Sequence, residues 1–213
     1  MDNRNLVKFL KSNQVEASLV DHLKMVYRPL ICPFDELLKL IEDDSRVFDI
    51  GCGAGQFCLL VAEYTRAKAI YGIEVSNHLV KNARNLLRKY SQKADIVFEQ
   101  YDGVHLPGKI AAYNTVFIID VLHHMPKKQH IELLKNLYEK MAPKSRLIFK
   151  DIDAASPLVY ANKLHDLFFS SQIGQEMKMS EAQKILKKIG FRILSTSRKR
   201  MLYCPHYTMV LVK

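Results

Sequence analysis

The segment Val47-Phe48-Asp49-Ile50-Gly51-Cys52-Gly53-Ala54-Gly55-Gln56-Phe57 constrains this chain more than any other part of it. A short apolar run ends in an acid, three glycines alternate, and an apolar run of helix length follows. Glycine reaches φ > 0 and carries no Cβ, so a ligand can approach the main chain closely. The helix that follows offers unpaired N–H groups at its start. The pattern predicts a strand, a ligand-cradling turn and a helix, at the carboxyl edge where open α/β sheets take their ligands. The spacing is Gly-x-Gly-x-Gly. A dinucleotide fingerprint needs Gly-x-Gly-x-x-Gly, and a phosphate-binding P-loop needs a lysine directly after its last glycine. Gln56 occupies that place.

Strand-length runs rich in β-branched and aromatic residues recur near 45–50, 68–74, 95–99, 114–120, 145–150, 191–198 and 206–212. Helical periodicity fits near 55–64, 76–90, 127–141 and 180–189. Ser76 precedes one helix, and Pro126 suits the first turn of another. Ser180-Glu-Ala-Gln183 reads as a capping box, with Gly190 as the stop. The alternation implies right-handed βαβ units and a parallel sheet covered on both faces. The last two runs lie too close for a crossover helix and should pair antiparallel. The expected fold class is therefore α/β. It is a Rossmann-like, doubly wound, mostly parallel seven-stranded sheet with an antiparallel C-terminal strand, plus N-terminal helices. Residues 1–44 read as a helical cap, over the ligand site or over the sheet edge. Residues 45–213 read as one structural unit.

Acids recur at the strand ends. Glu74 closes the second run, where a carboxylate can accept hydrogen bonds from both hydroxyls of a ribose. Asp102 follows the third run in Tyr101-Asp102-Gly103, and Asp120 closes the fourth. With Asp49, four carboxylates converge on one sheet edge. Such a density repels a pyrophosphate and favours a cationic adenosine derivative without phosphate. S-adenosylmethionine, with a sulfonium and an ammonium, has that character.

The set VFDIGCGAGQF, IYGIEVS, YDGVHLP and IIDVLHHMP resembles the class I S-adenosylmethionine-dependent methyltransferases. The resemblance is closest to the small-molecule branch that includes ubiquinone- and menaquinone-pathway enzymes. It covers 45–150, and 180–213 through the shape of the C-terminal unit. It implies S-adenosyl-L-methionine as cofactor, S-adenosyl-L-homocysteine as product and a small-molecule acceptor. It also implies a set of contacts. Gly51 and Gly53 would line the methionine portion, and Asp49 would steer its amino group. Glu74 would hold the ribose and Val75 would pack on the adenine. Asp102 would accept from the adenine amino group, with Gly103 beside the ring, and Asp120 would sit near the ligand's amino group.

Methyl transfer from a sulfonium is an in-line displacement, so placement in a dry site supplies much of the catalysis. A base is needed only where the acceptor must lose a proton. His123 and His124, after the fourth run, are the candidate bases, and the sequence does not rank them. The alternative is that one of them caps the following helix. Lys150-Asp151-Ile152-Asp153 falls on the acceptor edge. Alternation puts Asp151 and Asp153 on one face and Lys150 on the other. These acids are either acceptor contacts or solvated loop residues. Read as a helix, the next segment places Asn162, His165, Asp166 and Phe169 on one side. That is a half-buried lid over the site or a plain packing pair. Arg28 either pairs with the donor carboxylate or balances Asp35 and Glu36. His123, His124 and His130 lack the spacing of a metal site, so no metal is expected.

Composition excludes some classes. Of 213 residues 48% are hydrophobic and 25% charged, with 8 Gly and 7 Pro, which is globular rather than disordered. No apolar run reaches the length of a membrane span, and the first residues lack a leader-peptide pattern. Four cysteines without a CxxC pair read as reduced thiols of a cytoplasmic protein. The net charge of +10 is lopsided: residues 1–100 carry 14 basic and 13 acidic side chains, residues 101–213 carry 18 and 9. That keeps two other readings open. One is an RNA methyltransferase using the basic C-terminal half. The other is a catalytically silent module that binds S-adenosylmethionine. No Asn-Pro-Pro-Tyr-type tetrapeptide follows the fourth run, which favours a small-molecule acceptor over nucleic acid. Nothing in the sequence sets an oligomeric state.

Overall fold

The computed structural model describes residues 2–13, 26–159 and 174–213. Seven strands form one sheet: β1 (Arg46–Ile50), β2 (Ala69–Glu74), β3 (Asp95–Gln100), β4 (Thr115–Ile119), β5 (Arg146–Ile152), β6 (Arg192–Met201) and β7 (Cys204–Val212). Their order is β3-β2-β1-β4-β5-β7-β6. The first five strands are parallel, and β7 pairs antiparallel with both β5 and β6. The C-terminal hairpin thus inserts its second strand next to β5 and leaves β6 at the edge. Six helices are described: α1 (Asn3–Ser12), α2 (Phe34–Leu38), α3 (Gln56–Tyr64), α4 (Asn77–Leu87), α5 (Lys127–Lys140) and α6 (Met179–Ile189).

Every residue of β2 and β4 is buried, as are the last four of β1. These central strands are apolar on both faces because helices cover both sides. One layer joins Val47, Leu59, Ile70, Val80 and Phe117 to Leu6 and Leu10 of α1. The other joins Phe48, Tyr71, Leu134, Phe149, Leu186 and Tyr207. The Phe48 and Tyr71 rings stack with centroids 5.1 Å apart.

The caps partly follow the sequence reading. Ser76 accepts from the Leu79 N–H at the start of α4, as its position suggested. Gly190 ends α6, where a Cβ would lie 2.7 Å from the Tyr138 hydroxyl. The Ser180 capping box does not form. The helix begins at Met179, ahead of Ser180, and the Met179 N–H is taken by Asp153 Oδ1 at 3.3 Å. A carboxylate remote in sequence does the work expected of a local hydroxyl. The lid segment with Asn162, His165, Asp166 and Phe169 lies outside the described residues. Among the described residues no helix is long and apolar enough to cross a membrane. All four cysteines are buried.

Candidate active site

The strand order reverses between β1 and β4, and the crevice above their carboxyl ends is where such sheets bind ligands. A cavity of about 470 Å³ opens there, within the range of small-molecule sites. Gly51, Glu74, Val75, Asp102, Gly103 and Asp120, six of the eight expected cofactor contacts, line it. Asp49 and Gly53 are not in its wall. His124 lines it too, as do Tyr101, Val104, Val121, Met125, Pro126 and Gln129. The sequence reading did not single out the latter six. Tyr101, Val104 and Val121 lie within two residues of a motif acid, whereas Met125, Pro126 and Gln129 follow Asp120 at a distance, Gln129 inside α5.

Glu74 organises the floor. Its Oε2 accepts from the Gly53 N–H at 3.1 Å, and its Oε1 from the Val75 and Ser76 N–H groups at 2.9 and 3.1 Å. One carboxylate therefore ties the glycine loop to the start of α4 while facing the cavity. A Cβ on Gly51 would strike Val121 Cγ2 at 2.6 Å, so packing alone demands glycine there. Gly53 differs: its φ is +55°, and a Cβ would meet nothing within 4 Å. Val75 is 51% exposed, and Val104 is exposed too. Two solvent-facing valines in a cavity wall suit a flat apolar ring.

Asp49 is buried at the end of β1, with the Cys58 thiol donating to its Oδ2 at 3.3 Å. Burial pushes its carboxyl up to about 7, against the lowering pull of Cys58 and Arg28. Asp102 is exposed and accepts from the Val104 and His105 N–H groups at 2.9 and 2.7 Å. The His105 ring and these amides hold its carboxyl well below the usual range.

Asp120 has φ +56°, a left-handed conformation uncommon for a residue with a Cβ. Its Oδ1 accepts from Lys150 Nζ at 2.5 Å and its Oδ2 from Arg28 Nη2 at 3.2 Å. Burial alone would raise its carboxyl, but Lys150 and Arg28 hold it far below the ordinary value. The alternative pairing of Arg28 with Asp35 and Glu36 is not adopted. Those acids face Lys199, at 3.8 and 2.7 Å.

The two histidines separate. His124 lines the cavity, and burial first, then His123, push its imidazole down to about 4. His123 is buried, with its Nδ1 against Asp151. Asp151 and Asp153 face different partners. Asp153 accepts from Arg198 Nε at 2.9 Å and from the Ala155 N–H at 3.0 Å, besides Met179. It is a buried joint between β5, β6 and α6, not a solvated loop acid. Asp120, His123 and Asp151 present ligand-type atoms within 4.8 Å of one another, a cluster that spacing along the chain did not reveal. Asp120 already carries two cations, and a divalent ion beside a buried ammonium and a guanidinium would be strongly opposed.

The model of the methyltransferase domain matches residues 41–201. This chain belongs to the methyltransferase-domain family. An O-methyltransferase of Aspergillus sclerotiorum is 29% identical over 153 residues, 70% of this chain and 56% of that protein. The 27-O-demethylrifamycin SV methyltransferase of Amycolatopsis mediterranei is 30% identical over 107 residues, 50% of this chain and 38% of that protein. The chain spans about half the length of the first of these curated relatives, and less of the second. Among solved structures, the magnesium protoporphyrin IX methyltransferase of Synechocystis with bound S-adenosylhomocysteine has a TM-score of 0.72 at 20% identity. It covers 99% of this chain and 94% of that one. A 4+2 cyclase shares the fold too, with a TM-score of 0.69 at 16% identity over 99% of this chain and 92% of that one.

Proposed function

We propose that this protein binds S-adenosyl-L-methionine in the crevice above β1 and β4 and transfers its methyl group to a small-molecule acceptor. The observation that carries this is the Glu74 carboxylate, which faces the cavity from a fixed position beside Gly51 and the exposed Val75. The residues suit the donor. Glu74 accepts from the ribose, Val75 and Val104 cover the adenine face, and Asp102 and Gly103 take its polar edge. The open space over Gly53 admits a ligand against the main chain. Asp49 and Asp120 supply negative charge for the ammonium. The bound donor supplies an activated methyl on a sulfonium, transferred by in-line displacement, with S-adenosyl-L-homocysteine as the product.

The names of the two quoted relatives support an oxygen acceptor. His124 stands in the cavity wall as a neutral imidazole at physiological pH, and His123 is fixed by Asp151 beside it, with ring centroids 4.1 Å apart. We assign proton acceptance from an acceptor hydroxyl to this pair. We assign Lys150 and Asp151 to the acceptor side; His165, expected there from the sequence, lies outside the described residues. The IIDVLHHMP segment supports membership of the quinone-pathway-like branch, and four buried thiols support a cytoplasmic location.

The test is calorimetric titration with S-adenosylhomocysteine, followed by its release from S-adenosylmethionine in the presence of hydroxylated small molecules. Binding with turnover on such acceptors is expected. No binding removes the proposal. Binding without transfer across a broad acceptor panel favours the silent-module reading, which the fold shared with a cyclase keeps physically reasonable.

A further inference from the structure

The turn between β6 and β7 is built against local preference. Met201 pairs with Cys204, which leaves Leu202 and Tyr203 as a two-residue hairpin loop. Leu202 has φ +53°, the left-handed region that such loops fill with glycine or asparagine. It is also 67% exposed, the most of any large apolar side chain among the described residues. The backbone is thus strained to hold a leucine in water, and a side chain so exposed returns nothing through packing. The place of the turn matters as well. Ile152, at the end of β5, pairs with His206, so the turn leading into β7 stands at the carboxyl edge of the sheet, the edge that carries the cavity. Two strand spacings of ~4.8 Å put β7 about 10 Å from β4. Behind the turn, Ile152, Val159 and Cys204 form a small apolar cluster with Tyr203 and Ile31 packed against it. Tyr203 anchors the loop, and Leu202 stands outside it.

The surroundings of Leu202 are cationic. Residues 174–213 carry nine basic and two acidic side chains, and no acid occurs after Glu181. Arg198, Lys199 and Arg200 lie just ahead of the turn. Alternation along the strand puts Arg198 and Arg200 on one face and Lys199 on the other, so cations flank the tip on both sides. Arg198 keeps 57% of its side chain exposed beside Asp153. Arg200 is exposed and has no carboxylate partner among the described residues. An apolar tip among cations suits a partner that is anionic at its surface and apolar beneath it. A bilayer with anionic headgroups is both. There an apolar insertion and a few basic residues act together, each too weak alone. A polyanion such as RNA offers Leu202 no apolar phase.

We propose that the β6–β7 turn docks this protein on an anionic lipid surface, with Leu202 inserted among the acyl chains and Arg198 and Arg200 against the headgroup phosphates. The carboxyl edge of the sheet then faces the bilayer, and an acceptor that partitions into lipid reaches the cavity without crossing bulk water. That consequence rests on the transfer reading above. The docking does not, because vesicle binding is measured without donor or acceptor.

The experiment is co-sedimentation of the full chain with vesicles of equimolar phosphatidylcholine and phosphatidylserine, and with vesicles of phosphatidylcholine alone. The parent should sediment with the first, far less with the second, and be released by salt. Leu202→Gly removes the apolar tip and suits the left-handed backbone. It should weaken binding to the anionic vesicles about tenfold or more, with a melting temperature equal to or above that of the parent. Arg200→Gln should weaken binding about fivefold. A parent that ignores anionic vesicles, or binds neutral ones equally well, would overturn the proposal. So would binding unaltered in Leu202→Gly, or a fall in its melting temperature, which would make Leu202 a packing residue. A parent dimer that Leu202→Gly dissociates, read by sedimentation velocity, would assign the tip to a second copy of the chain and overturn the proposal too.

Discussion

At Glu74 one carboxylate both braces the main chain and lines the cavity. Its oxygens hold three main-chain N–H groups of the loop and of the α4 start. Glu74→Ala should weaken S-adenosylhomocysteine binding by roughly 1–3 kcal/mol, and should also lower the melting temperature because those donors lose their partner. Calorimetry and thermal denaturation read the two effects separately. An unchanged affinity would remove the ribose assignment. Gly53 tests the opposite case, a position with open space over its Cα and no packing reason for glycine. Gly53→Ala should cost about 1–2 kcal/mol of stability through its left-handed backbone, yet abolish the melting-temperature rise given by the donor.

Asp49 gives the pH dependence. Its carboxyl is raised to about 7 in the folded chain, so the stability it contributes is present at low pH and lost as pH rises through 7. Donor binding runs the other way, because the ammonium needs the carboxylate ionised. Affinity should therefore fall about tenfold between pH 8 and pH 6, and Asp49→Asn should flatten both trends. An affinity independent of pH in the parent would show that Asp49 does not meet the donor.

At the scale of elements, the start of α6 shows what local pattern misses. Ser180 has the right spacing for a cap, but Asp153 at the end of β5 reaches the Met179 N–H first and also binds Arg198 on β6. That competition involves residues 26 and 45 positions apart, and no window of sequence contains it. Asp153→Ala should destabilise the fold by about 2–3 kcal/mol, discounted for the exposed Arg198, while leaving the affinity for S-adenosylhomocysteine intact. Denaturant unfolding and calorimetry on the same variant decide it. A fall in affinity without a fall in stability would return Asp153 to the binding site. The strands and the other helix ends were legible because each depends on its own neighbours. Predominantly apolar runs mark β2 and β4, Ser76 caps locally, and Gly190 stops α6.

At the scale of the whole molecule, a ligand that binds only the folded chain must raise its stability. A saturating S-adenosylhomocysteine concentration, a hundred times Kd, adds about 2.7 kcal/mol, or about 5–10 °C in melting temperature for a chain of this size. The +10 charge belongs to this scale as well. Some of the basic side chains are paired, Lys150 with Asp120, Arg198 with Asp153 and Lys199 with Glu36, so they do not form one free cationic face. Arg192 and Arg200 lie on the exposed edge strand β6 with Arg198 and Lys199, where basic side chains blunt edge-to-edge pairing. Filter binding at about 50 mM salt should therefore retain no RNA, and salt-dependent retention would revive the nucleic-acid reading.

The amino-acid sequence by itself determined the alternation of strands and helices, the glycine loop and the acids that close β1, β2 and β4. Each of these is set by short-range conformational preference and by where an apolar run must stop. Only the tertiary structure decided which side chains of that edge meet. It divided the two adjacent histidines, one into the cavity and one onto Asp151. It drew Arg28 from the N-terminal turn across 92 positions to Asp120, and buried Lys150 beneath both. Those choices depend on which charges share one desolvated volume, a property of packed strands that no stretch of sequence contains.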